Sequence, residues 1–379
     1  MKKLALAAAV LGLTAFQAAA EEKAPLKIGA LLAVTGPASF LGAPEARTLE
    51  RLVEETNAKG GVDGRRIQLI VKDTGGSPEK AVSFAKQLIE EEQVFAILGA
   101  STSGETMQVK AIAEEAKTLL ISLAAAEVIV NPVASHVFNV APKDRYAAEM
   151  IFQRAKKLGI KKIDLLSSNT GFGKAGKDQV EKAAPAAGIE IVANEVYDKA
   201  ATDLTAEVTK LKAAGVQAII NWSIEPAQAI VIKNARQIGL KVPIFQSSGF
   251  ANIQYAKTAG AAAEGVMFPA SRVVVAEALS GKDPQKPVVA AYKRQYETRY
   301  KEDVSTFGGH AWDALGILVR AVKEQGLDRE KVRAAIENMK GFVGTAGVFN
   351  FAPNDHTGLS IDAFEMITVK NGKFVVLGK

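Results

Sequence analysis

Short apolar segments typical of β-strands alternate with amphipathic helical segments along most of the chain. The alternation runs from a strand at 26–34 and a helix at 45–59 to a strand at 119–123, and it starts again after about residue 145. Strands separated by single helices form βαβ units, in which the strands are parallel. The pattern therefore predicts an α/β protein with two doubly wound, Rossmann-like lobes, and a chain of 379 residues is long enough for both.

The C-terminal third does not continue the alternation as a third unit. It contains three predicted helices and a final β-hairpin turning at Asn371-Gly372, so we expect its segments to complete the two earlier sheets. Extended stretches suited to chain crossings between the lobes lie at 138–142, 267–271 and 348–353. The resulting lobes are N-terminal, 26–141 plus 272–347, and C-terminal, 142–271 plus 348–379. Three crossings without a flexible linker predict a hinge.

The first twenty residues have the composition of a secretory signal peptide. Lys2 and Lys3 precede an apolar run that extends to Phe16, and Ala18-Ala19-Ala20 fits a cleavage site. We therefore expect cleavage after Ala20 and a secreted protein whose mature chain has no membrane span.

Composition excludes several classes of function. The chain has no cysteine and three widely separated histidines, which excludes thiolate metal centres and cysteine nucleophiles and makes a histidine metal site unexpected. The net charge of +6 arises from Lys and Arg interspersed with Asp and Glu, a pattern typical of a solvated surface rather than a nucleic-acid footprint. No acid–base or nucleophile pair is apparent. We expect no cofactor, no metal and no enzymatic activity.

A glycine-rich segment at 171–176 has the spacing G-x-G-x-x-G and is followed by Lys177. A phosphate-binding loop needs Ser or Thr after that lysine, and the chain has Asp178. A dinucleotide site needs an acidic residue about 20 positions on, and Glu195 and Asp198 lie near there, so this test does not decide. We favour a glycine-bearing strand-to-helix turn at a cleft.

A second segment, 99–106, carries Ser and Thr between a strand and a helix. Backbone N–H groups at a helix N-terminus, with these hydroxyls, are suited to binding a carboxylate, although N-capping alone would also explain them. Aromatic residues also follow predicted strands, where ligands of open α/β sheets bind. They are Phe40, Phe172, Trp222 and Phe250.

Several segments match one known family in order and spacing. They are 29–32 with Thr35-Gly36-Pro37, 57–62, 77–81, 98–99 leading to Ser103, 121–122, 171–173, 235–240 and 263–266. In them the chain resembles the periplasmic substrate-binding proteins of ABC importers, in the leucine/isoleucine/valine-binding group. The resemblance covers nearly all of the mature chain. It implies two α/β lobes joined by three crossings that close on a ligand, a membrane permease as partner, and a monomer.

The resemblance also implies roles for individual residues. Ser103 matches the carboxylate-binding serine, Ala124 to Ala126 match a backbone site, and Phe172 matches the aromatic residue that closes over the ligand. Leu41, beside Phe40, matches a side-chain pocket residue. The complete candidate set is Phe40, Leu41, Ser103, Thr106, Ala124, Ala126, Phe172, Trp222 and Ser248.

Two of these positions depart from the family pattern. Ala126 stands where the family usually has a threonine, and Ser248 stands where it usually has the acidic partner of the ligand ammonium. A buried ammonium without a partner costs several kcal/mol. Glu225 and Glu127 are the other acidic candidates. We therefore favour an organic or aromatic acid over a branched-chain amino acid. A secreted ligand-sensing receptor domain of the same fold is the alternative function.

Overall fold

Two mainly parallel sheets organise the protein, in a computed structural model that describes residues 23–378. The predicted signal peptide, 1–20, lies outside this range. The first sheet has five parallel strands in the order β2-β1-β3-β4-β5. Its strands are β1 (Leu26–Leu32), β2 (Ile67–Asp73), β3 (Ala96–Gly99), β4 (Leu119–Ser122) and β5 (Val137–Asn139). Strands β3 and β4 are buried along their whole length, as expected of central strands in a sheet covered on both faces.

The second sheet has seven strands in the order β14-β13-β10-β9-β8-β6-β7. Strands β6 (Lys162–Ser168), β7 (Glu190–Tyr197), β8 (Ala218–Trp222), β9 (Ile244–Gln246) and β10 (Met267–Ala270) are parallel. A separate hairpin pairs β11 (Lys340–Val343) with β12 (Val348–Asn350). The antiparallel strands β13 (Glu365–Lys370) and β14 (Lys373–Val376) complete the second sheet. Asn371 and Gly372 have positive φ at the predicted hairpin turn.

Eleven α-helices cover the sheets in the described part of the chain. In the first half they are α1 (Ser39–Ala58), α2 (Pro78–Lys86), α3 (Ser103–Glu115), α4 (Asp144–Lys157), α5 (Gly171–Ala187) and α6 (Thr205–Ala213). The others are α7 (Ala227–Gln237), α8 (Ile253–Ala259), α9 (Lys286–Tyr300), α10 (Thr306–Gln325) and α11 (Arg329–Glu337). The predicted α/β class and its two sheets are confirmed.

Helix α1 begins earlier than the sequence predicts. We expected α1 to start at residue 45, after Pro44, but Pro44 lies inside the helix. A proline cannot donate the hydrogen bond that the carbonyl four residues earlier would accept. That carbonyl, of Phe40, instead accepts a hydrogen bond of 2.9 Å from the Asn252 side chain. A contact from the second lobe thus satisfies the helix where its own backbone cannot.

The third crossing lies later than predicted. We assigned residues from 348 onward to the C-terminal lobe, but β12 pairs with β11, and Phe349 and Phe351 are fully buried in the core of the first sheet. The Phe351 ring lies 5.9 Å from that of Phe138. Core membership changes between Ala363 and Phe364. The extended, aromatic character of this segment made it resemble a crossing, although it belongs to a hairpin.

Candidate ligand-binding cleft

A cavity of about 450 Å³ lies between the two lobes. This figure counts all empty space between the lining atoms, including space that is open to solvent. Residues from both lobes and from all three crossings line it. The apolar lining residues are Leu41, Leu123, Ala124, Ala125, Pro142, Phe172, Ile224, Gly249, Ala270, Phe307 and Phe364. The polar lining residues are Ser101, Ser103, Ser248, Ser271, Thr306 and His310.

Ser103 lies at the first position of α3, and its neighbour Thr102 caps that helix. The Thr102 hydroxyl accepts a hydrogen bond from the Glu105 amide at 3.3 Å, and the Glu105 carboxylate accepts one from the Thr102 amide at 3.1 Å. This reciprocal pair is a capping box. Because Thr102 satisfies the helix end, Ser103 is not needed as the cap and its hydroxyl faces the cavity. The first amides of a helix also have no intrahelical acceptor, which favours an anion there.

The backbone predicted to share the carboxylate, 124–126, is partly engaged already. The Ala126 amide donates to the Ser103 hydroxyl at 3.3 Å, and the Ala124 amide donates to the Ser122 hydroxyl at 3.2 Å. The Ser103 hydroxyl therefore accepts from its own lobe, and its proton has no acceptor among the hydrogen bonds of the described residues. Ala124 and Ala125 line the cavity, whereas Ala126 is fully buried beneath it.

Phe172 lies within a helix rather than in the strand-to-helix turn that the sequence predicts at 171–176. It is the second residue of α5, it is 2% exposed, and its ring centroid lies 5.9 Å from that of the fully buried Trp222. Phe172 lines the cavity, and Trp222 supports it from behind without lining the cavity. A helix, capped by the Thr170 hydroxyl, therefore fixes the aromatic wall of the second lobe.

Packing accounts for the glycines of the G-x-G-x-x-G segment. A Cβ atom on Gly173 would lie 2.0 Å from the Ser168 carbonyl oxygen, and one on Gly176 would lie 1.9 Å from the Trp222 indole nitrogen. A Cβ on Gly171 would lie 2.6 Å from the Cα of Gly104 at the start of α3. Gly173 and Gly176 let α5 lie close against its own sheet, and Gly171 lets the two lobes touch.

The lobes are in contact across the cleft. Besides the approach of Gly171 to Gly104, the Gln179 side chain of α5 donates to the Glu127 carboxylate at 3.2 Å. Asn252 donates to the Phe40 carbonyl, as described above. The structure is thus a closed arrangement in which both lobes surround the cavity.

Five of the nine candidate residues line the cavity, namely Leu41, Ser103, Ala124, Phe172 and Ser248. The other four lie behind its walls. Phe40 packs against Tyr255 with ring centroids 4.9 Å apart, and Thr106 donates to the Thr102 carbonyl at 3.0 Å. Trp222 and Ala126 are fully buried. Phe250, the remaining aromatic residue noted in the sequence, is buried against Phe268.

The part of the cavity that the crossings form was not predicted from the sequence. Pro142, Ser271 and Phe364 lie at the three crossings, and Thr306 and His310 lie in the first turns of α10. None of these residues belongs to a recognisable sequence motif. The predicted crossings at 138–142 and 267–271 were the available signal, because residues at a hinge must face the cleft.

A buried carboxyl group stands behind the cavity wall. The Ser101 hydroxyl donates to Glu45 and accepts from the Ala33 amide at 3.0 Å. Glu45 is fully buried, and its other carboxyl oxygen has no partner among the described residues. Burial raises the pKa of Glu45 to about 8. At neutral pH this group is therefore mostly protonated, and it adds little negative charge to the site.

No Asp, Glu, Lys or Arg is among the described residues that line the cavity. Of the two acidic candidates, Glu127 pairs with Arg145 at 3.3 Å and accepts from Gln179. Glu225 lies in an adjoining groove that shares Phe172 and Ile224 with the cavity, and it accepts from the Ser223 hydroxyl at 2.9 Å. Burial raises the pKa of Glu225. Neither carboxylate is among the residues that line the cavity.

Residues 23–378 contain no group of three or more acidic or histidine side chains placed to hold a metal ion. None of the helices in this range is both long and apolar enough to cross a membrane.

A family model described as periplasmic binding protein matches residues 25–373. The Leu/Ile/Val-binding protein homolog 7 of Brucella abortus (strain 2308) is 30% identical over 250 residues, which cover 63% of this chain and 62% of that protein. This chain thus spans less than two thirds of that relative's length. The leucine-, isoleucine-, valine-, threonine-, and alanine-binding protein of Pseudomonas aeruginosa is 25% identical over 343 residues, 89% of this chain and 87% of that protein.

Among solved structures, an extracellular ligand-binding receptor from Rhodopseudomonas palustris HaA2 superposes with a TM-score of 0.87 at 29% identity. The alignment covers 93% of this chain and 100% of that one. Together with the family match, this confirms the resemblance drawn from the sequence.

Proposed function

The chain belongs to the periplasmic binding protein family, and we propose that it captures a small carboxylate without an α-amino group for delivery to an ABC importer. The observation that carries the proposal is the lining of the interlobe cavity. It offers the Ser103 hydroxyl at a helix N-terminus for a carboxylate, and it offers no acidic side chain for an ammonium.

Desolvation decides between the two ligand classes. An ammonium group moved from water into a closed cavity loses its hydration, and without acceptors this loss costs several kcal/mol. Glu45, behind Ser101, is held mainly in its protonated form by burial, which raises its pKa to about 8, and Glu127 is already paired. Ser103 and the amide dipoles of α3 stabilise a carboxylate, so an organic acid fits the polar groups of this cavity better than an amino acid does.

Closure of the lobes links ligand binding to the conformation of the protein. In the open form the first lobe presents Ser103 and Leu41, and closing adds Phe172 and Ile224 from the second lobe around the ligand. A ligand that contacts both lobes stabilises the closed state, and so it shifts the open–closed population toward that state. Recognition needs no chemical step, in keeping with a solute-binding rather than an enzymatic role.

The setting follows from the family. Membership implies an extracytoplasmic location, and we infer that a signal peptide cleaved after Ala20 brings the protein to the periplasm. There the closed, loaded monomer would meet a membrane permease. The relative from Pseudomonas aeruginosa named for binding leucine and other amino acids makes a branched-chain amino acid the competing ligand class.

A thermal-shift screen tests the proposal. Ligand-stripped protein would be melted with the twenty amino acids and with a matched panel of aliphatic and aromatic monocarboxylates, because a ligand that binds only the native state raises Tm by mass action. We expect carboxylates to raise Tm and the amino acids to leave it unchanged. Stabilisation by amino acids alone would contradict the proposal.

A further inference from the structure

We propose that His310 and Ser271 form a second polar subsite in the cavity that recognises a hydroxyl group of the ligand, so that the captured solute is a hydroxylated carboxylic acid with an apolar body. This inference rests on the proposed function, because it assumes that the carboxylate lies at Ser103. It adds specificity-determining residues and a narrower ligand class.

The two residues lie on the side of the cavity where the chain crosses between lobes. Ser271 directly follows β10 at the second crossing, and His310 lies in the second turn of α10. Pro142 and Phe364, at the other two crossings, line the same cavity. Ser103 and Phe172 instead line it from the N-termini of α3 and α5. A ligand that fills the cavity therefore meets one polar group at the helix ends and another at the crossings.

Both residues have buried polar atoms without partners. Ser271 is 1% exposed and His310 is 6% exposed. The Ser271 hydroxyl and both ring nitrogens of His310 form no hydrogen bond with any described residue. Ser271 precedes a short helical turn but does not cap it. Buried polar groups are rarely left unpaired, so such a pair lining a cavity indicates a group that binds there.

The other two histidines show what an ordinary buried histidine does in this protein. His136 contacts Glu330 at 3.0 Å and Glu114 at 3.4 Å, while His356 contacts the Val137 carbonyl at 2.9 Å and Glu337 at 3.2 Å. Each uses both ring nitrogens within the fold. Neither ring nitrogen of His310 has a partner at full hydrogen-bonding geometry among the described residues, although the Leu123 backbone approaches the ring. The hydrogen-bonding capacity of His310 is therefore available to the contents of the cavity.

The protonation of His310 selects the chemistry of its partner. Burial lowers the pKa of His310 to about 4, and a backbone hydrogen-bonding contact with Leu123 acts in the opposite direction. Phe307, whose ring centroid lies 6.2 Å from the imidazole, adds apolar surface. A neutral imidazole has one donor and one acceptor, and the Ser271 hydroxyl can act as either. A ligand hydroxyl, which donates and accepts, satisfies both residues.

Other ligand groups fit this subsite poorly. A second carboxylate can only accept, and it would bury a charge that no cation in the cavity lining compensates. An ammonium can only donate. A methyl group would leave all three polar atoms unpaired. The competing occupant is an ordered water molecule bridging His310 and Ser271, in which case ligands with and without a hydroxyl would bind equally well.

Calorimetric titration of ligand-stripped protein separates these cases. The ligands are benzoate, the 3- and 4-hydroxybenzoates and the 3- and 4-methylbenzoates, which match the hydroxy acids in size. We expect at least one hydroxy acid to bind wild type about ten-fold or more tighter than both benzoate and its methyl analogue. In His310→Leu this preference should vanish while benzoate affinity stays within about three-fold, and Ser271→Ala should reduce it.

Controls keep a folding defect apart from a loss of recognition. His310→Gln retains a donor and an acceptor and should keep part of the preference. The apo Tm of His310→Leu should equal or exceed that of wild type, because the variant removes an unpaired buried polar group. A marked fall in apo Tm with the hydroxyl preference intact would make His310 purely structural and would overturn the inference.

The outcomes also separate this inference from the proposed function. If all five acids bind wild type equally, a water molecule fills the subsite and only the hydroxyl inference fails. The same holds if the preference exists but survives in His310→Leu and Ser271→Ala. If none of the acids binds and leucine does, the proposed function fails together with the inference.

Discussion

Ser103 and Thr102 are neighbours in one helix turn but have different tasks. Thr102 satisfies the helix N-terminus through its capping box with Glu105, whereas Ser103 faces the cavity. From the sequence, capping and carboxylate binding were both open for this segment. The structure assigns capping to Thr102, and binding by Ser103 remains a proposal to be tested.

Ser103→Ala should weaken binding of the best carboxylate found in the screen by about 1–3 kcal/mol, the usual effect of losing a hydrogen bond to a charged group. Isothermal titration measures the difference. Thr106→Val is the matched control, because the Thr106 hydroxyl lies on the same helix and bonds to the Thr102 carbonyl rather than lining the cavity. The control should lose stability but not affinity. Equal affinity of Ser103→Ala and wild type would contradict the assignment.

Glu45 should make the stability of the apo protein depend on pH. Burial raises its pKa from 4.5 to about 8. The stability it contributes is therefore full below about pH 4.5 and is lost as pH rises toward 8. Glu45→Gln stays neutral and still offers an acceptor to Ser101, so it should gain Tm relative to wild type between pH 5 and 9, by several degrees.

Buried Asp144 and Asp313, whose pKa values burial also raises to about 7, contribute a slope of the same sign. For that reason the quantity to measure is the difference in Tm between Glu45→Gln and wild type at each pH. The contributions of the two aspartates are present in both proteins and cancel in this difference. A difference that does not grow with pH would show that Glu45 is ionised in the folded protein.

At the scale of elements, the sequence predicted most strands and helices because their apolar periodicity is strong. The errors in the predicted helix starts have identifiable physical causes. Pro44 hid the start of α1, since its missing N–H is compensated by Asn252, a residue that lies far away in the chain. The glycines at 171 and 173 made the start of α5 look like a loop, although close packing requires them there.

The candidate site was predictable where it resembles a family and not where it depends on tertiary folding. Ser103 and Phe172 occupy matching positions next to recognisable strand ends, and both line the cavity. Ser271 and His310 lie next to crossings whose course only the folded chain defines. Trp222 was correctly placed at a strand end, but its indole points into the core and is covered by Gly176.

Helices α3 and α5 meet across the cleft at Gly104 and Gly171, which yields a prediction about closure. Gly171→Ala places a Cβ 2.6 Å from the Gly104 Cα, so the lobes must separate. Gly104→Ala places its Cβ 3.7 Å from the Gly171 amide, an ordinary contact, and serves as the control. Gly171→Ala should lower affinity about ten-fold with little change in apo Tm, because Ala favours the helix and the open form tolerates it.

Titration and small-angle scattering of both variants check this point. The ligand-induced decrease in radius of gyration should be smaller in Gly171→Ala than in wild type and unchanged in Gly104→Ala. If Gly171→Ala binds and compacts as wild type does, the contact between the two helices does not limit closure.

For the whole molecule, the closed arrangement would allow a cavity with few polar groups to be selective. Both lobes would enclose a bound ligand, so each unsatisfied charge on it would carry its full desolvation cost. The lining supplies hydroxyls, a neutral imidazole and apolar surface, and among its described residues it supplies no acid or base of full charge. The resulting site should discriminate between ligands mainly by excluding groups for which its lining offers no polar partner. An ammonium group is the clearest case.

The most direct test is therefore a comparison of ligands that share a carboxylate and differ in the amino group. Leucine, valine, benzoate and 4-hydroxybenzoate would be titrated into protein that has been unfolded, stripped of bound ligand and refolded. We predict that an aromatic acid binds with micromolar or tighter affinity and that leucine and valine show no measurable heat of binding. Micromolar or tighter binding of leucine, with no response to the acids, would contradict the account and would mean that an acceptor such as Glu225 reaches the ligand ammonium.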